Sequence, residues 1–596
     1  MHKASLGMAV GVALLLSARA QAATVHLTPL DVANDATALQ SALNQLLPGD
    51  TLYLAGGDYT PSGGLPSYIS NTLDVRPTDG RGTSGRADAW ISVRNEPGQH
   101  PVLHLGTNGA TGFALVNVAF WKIEGLELMP TSDANEYAAG IGAQSQGGTL
   151  CHDIQFVNNI VHGFGEAGLI GAASQFLIEG NTVYDNAWRA HDNASGIDIV
   201  QPLMGSTDNS KFGGASGNPG NAYAIIIRNN TCYFNRNLVP DTDHGTTAIT
   251  DGNGIILDIF DATNGYAGFG GRTLVSNNVL YNNGGAGIHA FSSSNVDVFH
   301  NTLYQNGWIA NGTQLSNVGS NNRWFNNIVV GGNPNIYAPG TPLNGGYTNG
   351  GNRGWQDVGN NTNVQWDKNI FYATSDSVFP PNSIVGTDPN FVSPMLDTDS
   401  APSADFHLQA GSAAINIGVL ASVTNVGSDH DANPRDSTPD VGAYEYFAES
   451  ANVVSAGGVA LASSTGVNET PASAFDNNIQ TKWLGDNAAR AGVWLQYKFA
   501  NNTSKVVNQY SISSGNDNYG RDLRAWTIQG SNGTTWVNLD KRINQWFSGR
   551  GKKNSYRFRN TTAFRNYRIV ALQNSGSAEY GAGRVQLSEW TLRNAV

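Results

Sequence analysis

The sequence predicts an all-β protein whose larger part is a right-handed parallel β-helix. Three observations carry this: a short unit recurs, an Asn stands at one corner of each copy, and a Gly follows each corner. NNIVHGFG (158–165), GNTVYDNA (180–187), NNTCYFNR (229–236), NNVLYNNG (277–284), HNTLYQNG (300–307) and NNIVVGGN (326–333) align on Asn159, Asn181, Asn230, Asn278, Asn301 and Asn327. The intervals between these six Asn residues are 22, 49, 48, 23 and 26. The shorter intervals suit one coil of a solenoid, and the two longer ones suit a coil carrying an insertion. One unit cannot bury its apolar face, but a stack can. An Asn at a repeated corner can hydrogen-bond to its neighbours up the stack, so these positions are read as a structural ladder rather than as ligands. A propeller would need blades of about 40 residues or more.

Composition agrees with short strands and tight turns. The 596 residues include 71 Gly, and only 13% are charged. The net charge of −13 argues against a nucleic-acid footprint, which needs a basic face, and against adhesion to an anionic membrane. Residues 1–22, with Lys3, an apolar run through Leu16 and an Ala20-Gln21-Ala22 end, read as a secretory signal cleaved after Ala22. That run is short for a membrane span. The expected protein is a monomer, secreted to the exterior or the periplasm. Two cysteines are too few for a disulfide scaffold, and Cys232 falls where other coils carry Val183, Leu280 and Leu303, which predicts a core thiol.

The ends of the solenoid are also legible. Leu39, Leu43, Leu46 and Leu47 share one face of a short predicted helix, followed by a Pro48-Gly49-Asp50 turn. Such a helix would cap the first coil. This opening resembles the capping start of bacterial β-helix polysaccharide lyases. DPNFV (388–392), DFHLQAGSAAINIG (405–418) and DVGAYEY (440–446) resemble the closing coils of secreted bacterial β-helix proteins. The resemblance covers 23–446 and implies the fold more strongly than the reaction.

From 447 to 596 the repeat is absent. SAFDNNIQTKW (473–483), GVWLQYKFA (492–500) and VQLSEWTL (585–592) resemble a discoidin-type (factor 5/8 type C) β-sandwich, a jelly roll that often serves as a carbohydrate-binding module. The resemblance implies a structural Ca²⁺ held near Asp476, Thr481 and Glu589, with Asn477 where a Gly is more usual. Hard oxygen ligands of this kind suit calcium. Trp483 and Trp494 are expected in the sandwich core, and Trp546, in RINQWFSGRG, is the best exposed candidate for binding sugar.

Both long insertions surround neighbouring coils. GLI, GID, GII and GIH, starting at Gly168, Gly196, Gly254 and Gly287, should stack as strands of one sheet, walled by the extra chain. Period-two alternation turns Ile197, Ile199, Ile255, Leu257, Ile259, Ile288 and Ala290 inward. It turns Asp198, Ile256, Asp258, His289 and Phe291 outward into a groove. Neighbouring strands lie about 4.8 Å apart, which puts the Cα atoms of Asp198 and Asp258 roughly 8 Å apart. Asp192, Asp251 and His244 fall at the groove edge, where Asp192 and Asp261 could equally be turn caps. His152, His162 and His300 are read as surface or structural residues.

A walled outward row suits a polysaccharide lying across the coils. The Asp192/Asp198/Asp251 arrangement is similar to the calcium-binding aspartates of β-helix pectate lyases, which implies a possible catalytic Ca²⁺. Those enzymes use a Lys or Arg base, and the outward row here has none. Lys211 and Arg272, in or beside the insertions, are candidate bases, with His289 or His244 as substitutes. The reading is therefore a lyase cleaving a uronate-containing glycan by β-elimination. The alternatives are a glycoside hydrolase using the paired carboxyls and a noncatalytic glycan-binding or adhesive protein.

Overall fold

A computed structural model describes residues 22–62, 71–106, 111–132, 138–203, 223–263, 265–310, 312–332, 353–394, 404–454, 457–486, 492–543, 545–575 and 584–595. The signal segment and Lys211 lie outside the described residues. Each coil contributes one strand to each of three parallel sheets. In one coil, Leu169–Gly171 feeds the groove sheet, Ser174–Glu179 the second sheet and Thr182–Tyr184 the third. Among the described residues the groove sheet has nine strands and the other two have eleven each. The chain is thus an all-β protein with a parallel β-helix, and the repeat in the sequence is the coil of that helix.

The Asn residues at the corner between the second and third sheets form the expected ladder. Asn159 Nδ2 donates to Asn181 Oδ1 at 3.2 Å, and the pattern climbs through Asn230, Asn278, Asn301, Asn327 and Asn369 at 2.9–3.0 Å. A second ladder, Asn186–Asn235–Asn283–Asn306–Gln314, runs up the next corner at 2.8–3.0 Å. It also explains the Gly column. A Cβ at Gly168, Gly196, Gly254 or Gly287 would stand 2.6–3.1 Å from a ladder amide nitrogen, so only Gly lets the groove strand pass so close.

Cys232 is buried in the core with Leu280 and Leu303, and both cysteines are free thiols. The capping helix spans Ala38–Gln45 and buries Leu39 and Leu43. It ends before Leu46, which is buried from an extended backbone, so Leu47 turns out to solvent at 44% exposure. The expectation that all four leucines share one face is corrected on this point.

The segment expected to close the stack does not add coils. After Ile384–Val385 the chain forms an antiparallel hairpin, Phe391–Ser393 with Asp405–Leu408. It then runs back across earlier coils as a strap. Asn326 Nδ2 donates to the Val419 carbonyl at 3.2 Å, Asn277 Nδ2 donates to that of Ser428 at 2.8 Å, and His300 Nδ1 lies 3.1 Å from that of Asp440.

Beyond the strap lies an antiparallel β-sandwich. Its five-stranded sheet contains Val459–Ala462, Trp494–Lys498, Asn566–Asn574, Leu523–Ser531 and Val537–Arg542, and its three-stranded sheet contains Lys553–Arg557, Gln509–Ser513 and Glu589–Arg593. Trp483, Trp526 and Trp590 fill its core. Trp494, expected there too, is only half-buried, because it faces outward with the Arg568 guanidinium 5.9 Å from its ring centre. The sandwich rests on the strap: Arg542 Nη1 and the Arg557 amide both donate to Asn433 Oδ1, at 3.1 and 2.9 Å.

Candidate functional site

The groove strands keep the register that the Gly alignment predicts. Ile197 pairs with Ile255 and Ile255 with Ile288, all three fully buried. On the outer face Ile170, Asp198, Ile256, His289 and Ser316 are successive partners across five strands. Asp258 lies two residues further along, between Val200 and Phe291. Asp198 and Asp258 are thus diagonal neighbours, as the alternation requires. Ile259 departs from it: the strand ends at Asp258, Ile259 turns at φ +54°, and Phe260 takes the buried position instead. A β-branched residue in the left-handed region is strained, and here the strain sits beside the acidic cluster.

The outward polar groups of this face are poorly solvated. Asp198 is 5% exposed and His289 8%. Asp198 Oδ1 and His289 Nδ1 have no hydrogen-bond partner among the described residues. Burial, with Asp258, Asp251, Asp192 and Glu166 nearby, holds the Asp198 carboxyl well above the usual range. Burial pushes Asp258 up to about 6, and His244 partly opposes that rise. Burial lowers His289 to about 4, so its imidazole is neutral. The ring edge packs against Phe291 at 5.6 Å.

Asp251 is held in place by amides. Asn253 Nδ2 donates to its Oδ1 at 2.7 Å, and the Asn193 amide lies between Asp251, Asp241 and Thr250. Burial, with Asp258 and Asp241 nearby, pushes Asp251 up to about 7. His244 Nδ1 meets Asp241 Oδ1 at 2.9 Å, and that bond raises the imidazole at the rim. Asp261 accepts from the Ser294 hydroxyl at 2.9 Å and acts as a turn cap.

Glu166 belongs to the same cluster and was missed. Burial and the Asp192 carboxyl push it up to about 9, and the two acids hydrogen-bond. It stands two residues before Gly168, so the Gly alignment that located Asp198 already contained it. One other expectation changes. Arg272 is not beside the groove: it precedes a strand of the second sheet, where it and Arg323 clamp the buried Asp297 carboxylate. His300 and His162 are structural: His300 binds the strap, and His162 Nε2 is 3.0 Å from Glu127.

Asp192 and Asp251 hydrogen-bond to neighbours instead of converging with Asp198 on one point. Among the described residues no three His, Cys, Asp or Glu side chains are disposed to hold a metal ion. The sandwich site fits a hard cation better. Thr481 Oγ1 donates to Asp476 Oδ2 at 2.7 Å, and the Asn478 amide donates to both Asp476 and Glu589, at 2.9 and 2.8 Å. Burial and the neighbouring Asp476 push Glu589 up to about 7. Asn477 adopts φ +58°, which Asn tolerates, so its presence in place of Gly leaves the loop intact. Trp546 is half-buried, with the Arg524 guanidinium 3.7 Å from its ring centre, and is not a freely exposed platform.

No family model matches the chain. Pectate lyase L of Paenibacillus polymyxa (strain SC2) is 23% identical over 335 residues, which is 48% of this chain and 68% of that protein. A peptide-N(4)-(N-acetyl-beta-glucosaminyl)asparagine amidase of Arabidopsis thaliana is 38% identical over 86 residues, 14% of this chain. The chain spans only 12% of that amidase's length. Among solved structures, pectate lyase Pel9A superposes with a TM-score of 0.40 at 16% identity, over 71% of this chain and 96% of that one. The family 32 carbohydrate-binding module of C. perfringens NanJ, solved with galactose, superposes with a TM-score of 0.20 at 18% identity, over 23% of this chain and 92% of that one. The sequence similarity to a polysaccharide lyase is thus confined to about half of this chain.

Proposed function

We propose that the protein is an exported polysaccharide-degrading enzyme that cleaves a uronate-containing glycan by β-elimination in the groove. One observation carries this reading. Two carboxyls on neighbouring strands of the groove are tuned apart: burial pushes Asp258 up to about 6, while burial and four nearby acids hold Asp198 well above the usual carboxyl range. Asp258 is the base that removes the proton from the carbon beside the uronate carboxylate. Asp198 is the acid that protonates the glycosidic oxygen as its bond to the sugar ring breaks, leaving a double bond in the ring. His244, held by Asp241 and with its imidazole raised by that bond, stands at the rim as the group that faces the substrate carboxylate. The similarity to pectate lyase L supports an elimination.

A second reading has its own support. The outward row of Asp198, Ile256 and His289 has neither Lys nor Arg, and paired carboxyls with separated pKa values also suit hydrolysis, with Asp198 as acid and Asp258 activating water. Purified protein offered acidic and neutral polysaccharides separates the two. Elimination gives products that absorb ultraviolet light through the unsaturated end. Hydrolysis gives new reducing ends without that absorbance. Full activity in both Asp258→Asn and Asp198→Asn would remove the groove from consideration.

In the sandwich, Asp476, Thr481 and Glu589 would hold a structural Ca²⁺ beside the Asn477 turn. No helix among the described residues is long and apolar enough to cross a membrane. Export is inferred from residues 1–22, and a monomer is the proposed working form.

A further inference from the structure

A second cleft, enclosing about 860 Å³ of space open to solvent, lies between the coils and the sandwich. The coils contribute Arg94, His100, Glu124 and Asn158, and the sandwich contributes Arg524, Lys541 and Gln573. Three of these seven side chains are Lys or Arg, in a chain with 33 Lys and Arg against 46 Asp and Glu. The acids here are already shared: Glu124 meets Lys122 Nζ at 2.9 Å and Arg94 Nη2 at 3.4 Å, and Glu127 meets His162 Nε2 at 3.0 Å and His100 Nε2. Arg94 Nε is buried with no hydrogen-bond partner among the described residues. Arg524 is 4% exposed, and its guanidinium lies 3.7 Å from the Trp546 ring centre. The cleft is therefore opposite in sign to the groove. It also borders another side of the solenoid, since Arg94 lies on a strand of the second sheet and Asn158 at that sheet's far corner.

We infer that this cleft binds an acidic saccharide, whose carboxylate pairs with Arg94 and Lys541. Asn158 and Gln573 offer amide donors and acceptors for sugar hydroxyls. Forked guanidinium donors match a carboxylate in two-pronged geometry, and amides beside them favour a sugar over a bare anion. The site is composite: neither the coils nor the sandwich alone supplies both cations. Its role is to hold an acidic polymer beside the enzyme while another stretch of the same polymer occupies the groove. The choice of uronate as the sugar rests on the reading that the groove substrate is acidic.

The test is calorimetric titration of the full chain carrying Asp258→Asn, which prevents turnover. The probes are an oligogalacturonate, an oligoglucuronate, a neutral galactose oligomer and inorganic phosphate. At least one acidic oligosaccharide should bind. Adding Arg94→Gln and Lys541→Gln together should weaken that binding about tenfold or more, without lowering the melting temperature. In the protein with Asp258 intact, the same two changes should leave cleavage of short substrates unchanged. Unaltered affinity in the double variant overturns the inference, as does equal affinity for the neutral oligomer or for phosphate. If no glycan is cleaved but this binding persists, the proposed reaction fails and the cleft assignment stands.

Discussion

Replacing Asp251 by Asn should stabilise the protein at mildly alkaline pH while it removes a groove carboxyl. Burial, together with Asp258 and Asp241, pushes Asp251 up to about 7 in the folded protein. An Asp in an unfolded chain ionises near about 3.9. Below about pH 4 both states carry the proton. Between about pH 4 and pH 7 the unfolded state loses it first, so this group's contribution falls across that window and is level above it. The gap amounts to about 4 kcal/mol. Asn cannot ionise, and it suits the backbone there, which sits at φ +55°. One offset follows from its single oxygen: Asn253 Nδ2 and the Asn193 amide face the two oxygens of Asp251, and losing one such bond costs about 1 kcal/mol. The net expectation is about 3 kcal/mol of added stability near pH 8, shrinking to nothing or a slight loss near pH 4. Denaturant titrations of both proteins across that range, with a chelator present, measure it. A stability difference that does not change with pH would refute the reasoning, as would a variant less stable than the parent near pH 8.

Asp198→Asn should lower kcat by about a hundredfold or more while the protein still binds polymer, as removal of a positioned acid does; rates and pull-down on insoluble glycan check this together. Asn230→Ala should cost about 3 kcal/mol, because it strips a partner from the Asn181 amide and from the Ile178 carbonyl in a fully buried ladder. Thermal denaturation followed by circular dichroism measures that loss. Gly254→Ala should fold poorly, since its Cβ would meet Leu280 Cδ2 at 2.6 Å and the Gly287 carbonyl oxygen at 2.8 Å; soluble yield and melting temperature report it. Glu589→Gln should abolish any rise in melting temperature that added calcium gives the parent protein, if Asp476, Thr481 and Glu589 hold the ion.

The coils were legible because each one must solve the same packing problem, so its solution recurs in the sequence. The ladder from Asn159 to Asn327 and the Gly column could be read by counting. The second ladder was equally present: Asn186, Asn235, Asn283 and Asn306 each follow a first-ladder Asn by five residues. It was missed because only one corner was used for alignment. Asp198, Asp258 and His289 could be assigned to the outer face because strand alternation is strict. Ile259 broke that rule, since a left-handed turn leaves no periodic trace. Arg272 was misjudged because distance along the chain said nothing of which sheet the next strand would join. Glu166 went unread because its partner, Asp192, lies in the next coil. The strap escaped for a related reason: its contacts with Asn277, His300 and Asn326 span more than ninety residues of chain.

The strap also limits how this solenoid can grow over evolutionary time. A repeat protein lengthens readily by duplicating a coil, since each new coil meets copies of the same neighbours. Here one segment grips the coils of Asn277, His300 and Asn326 at fixed intervals. A coil inserted among those three would shift the later grips by about 4.8 Å and leave them without partners. Duplication is tolerated only on the side of the capping helix, upstream of the groove. The coils that the strap grips are therefore fixed in number.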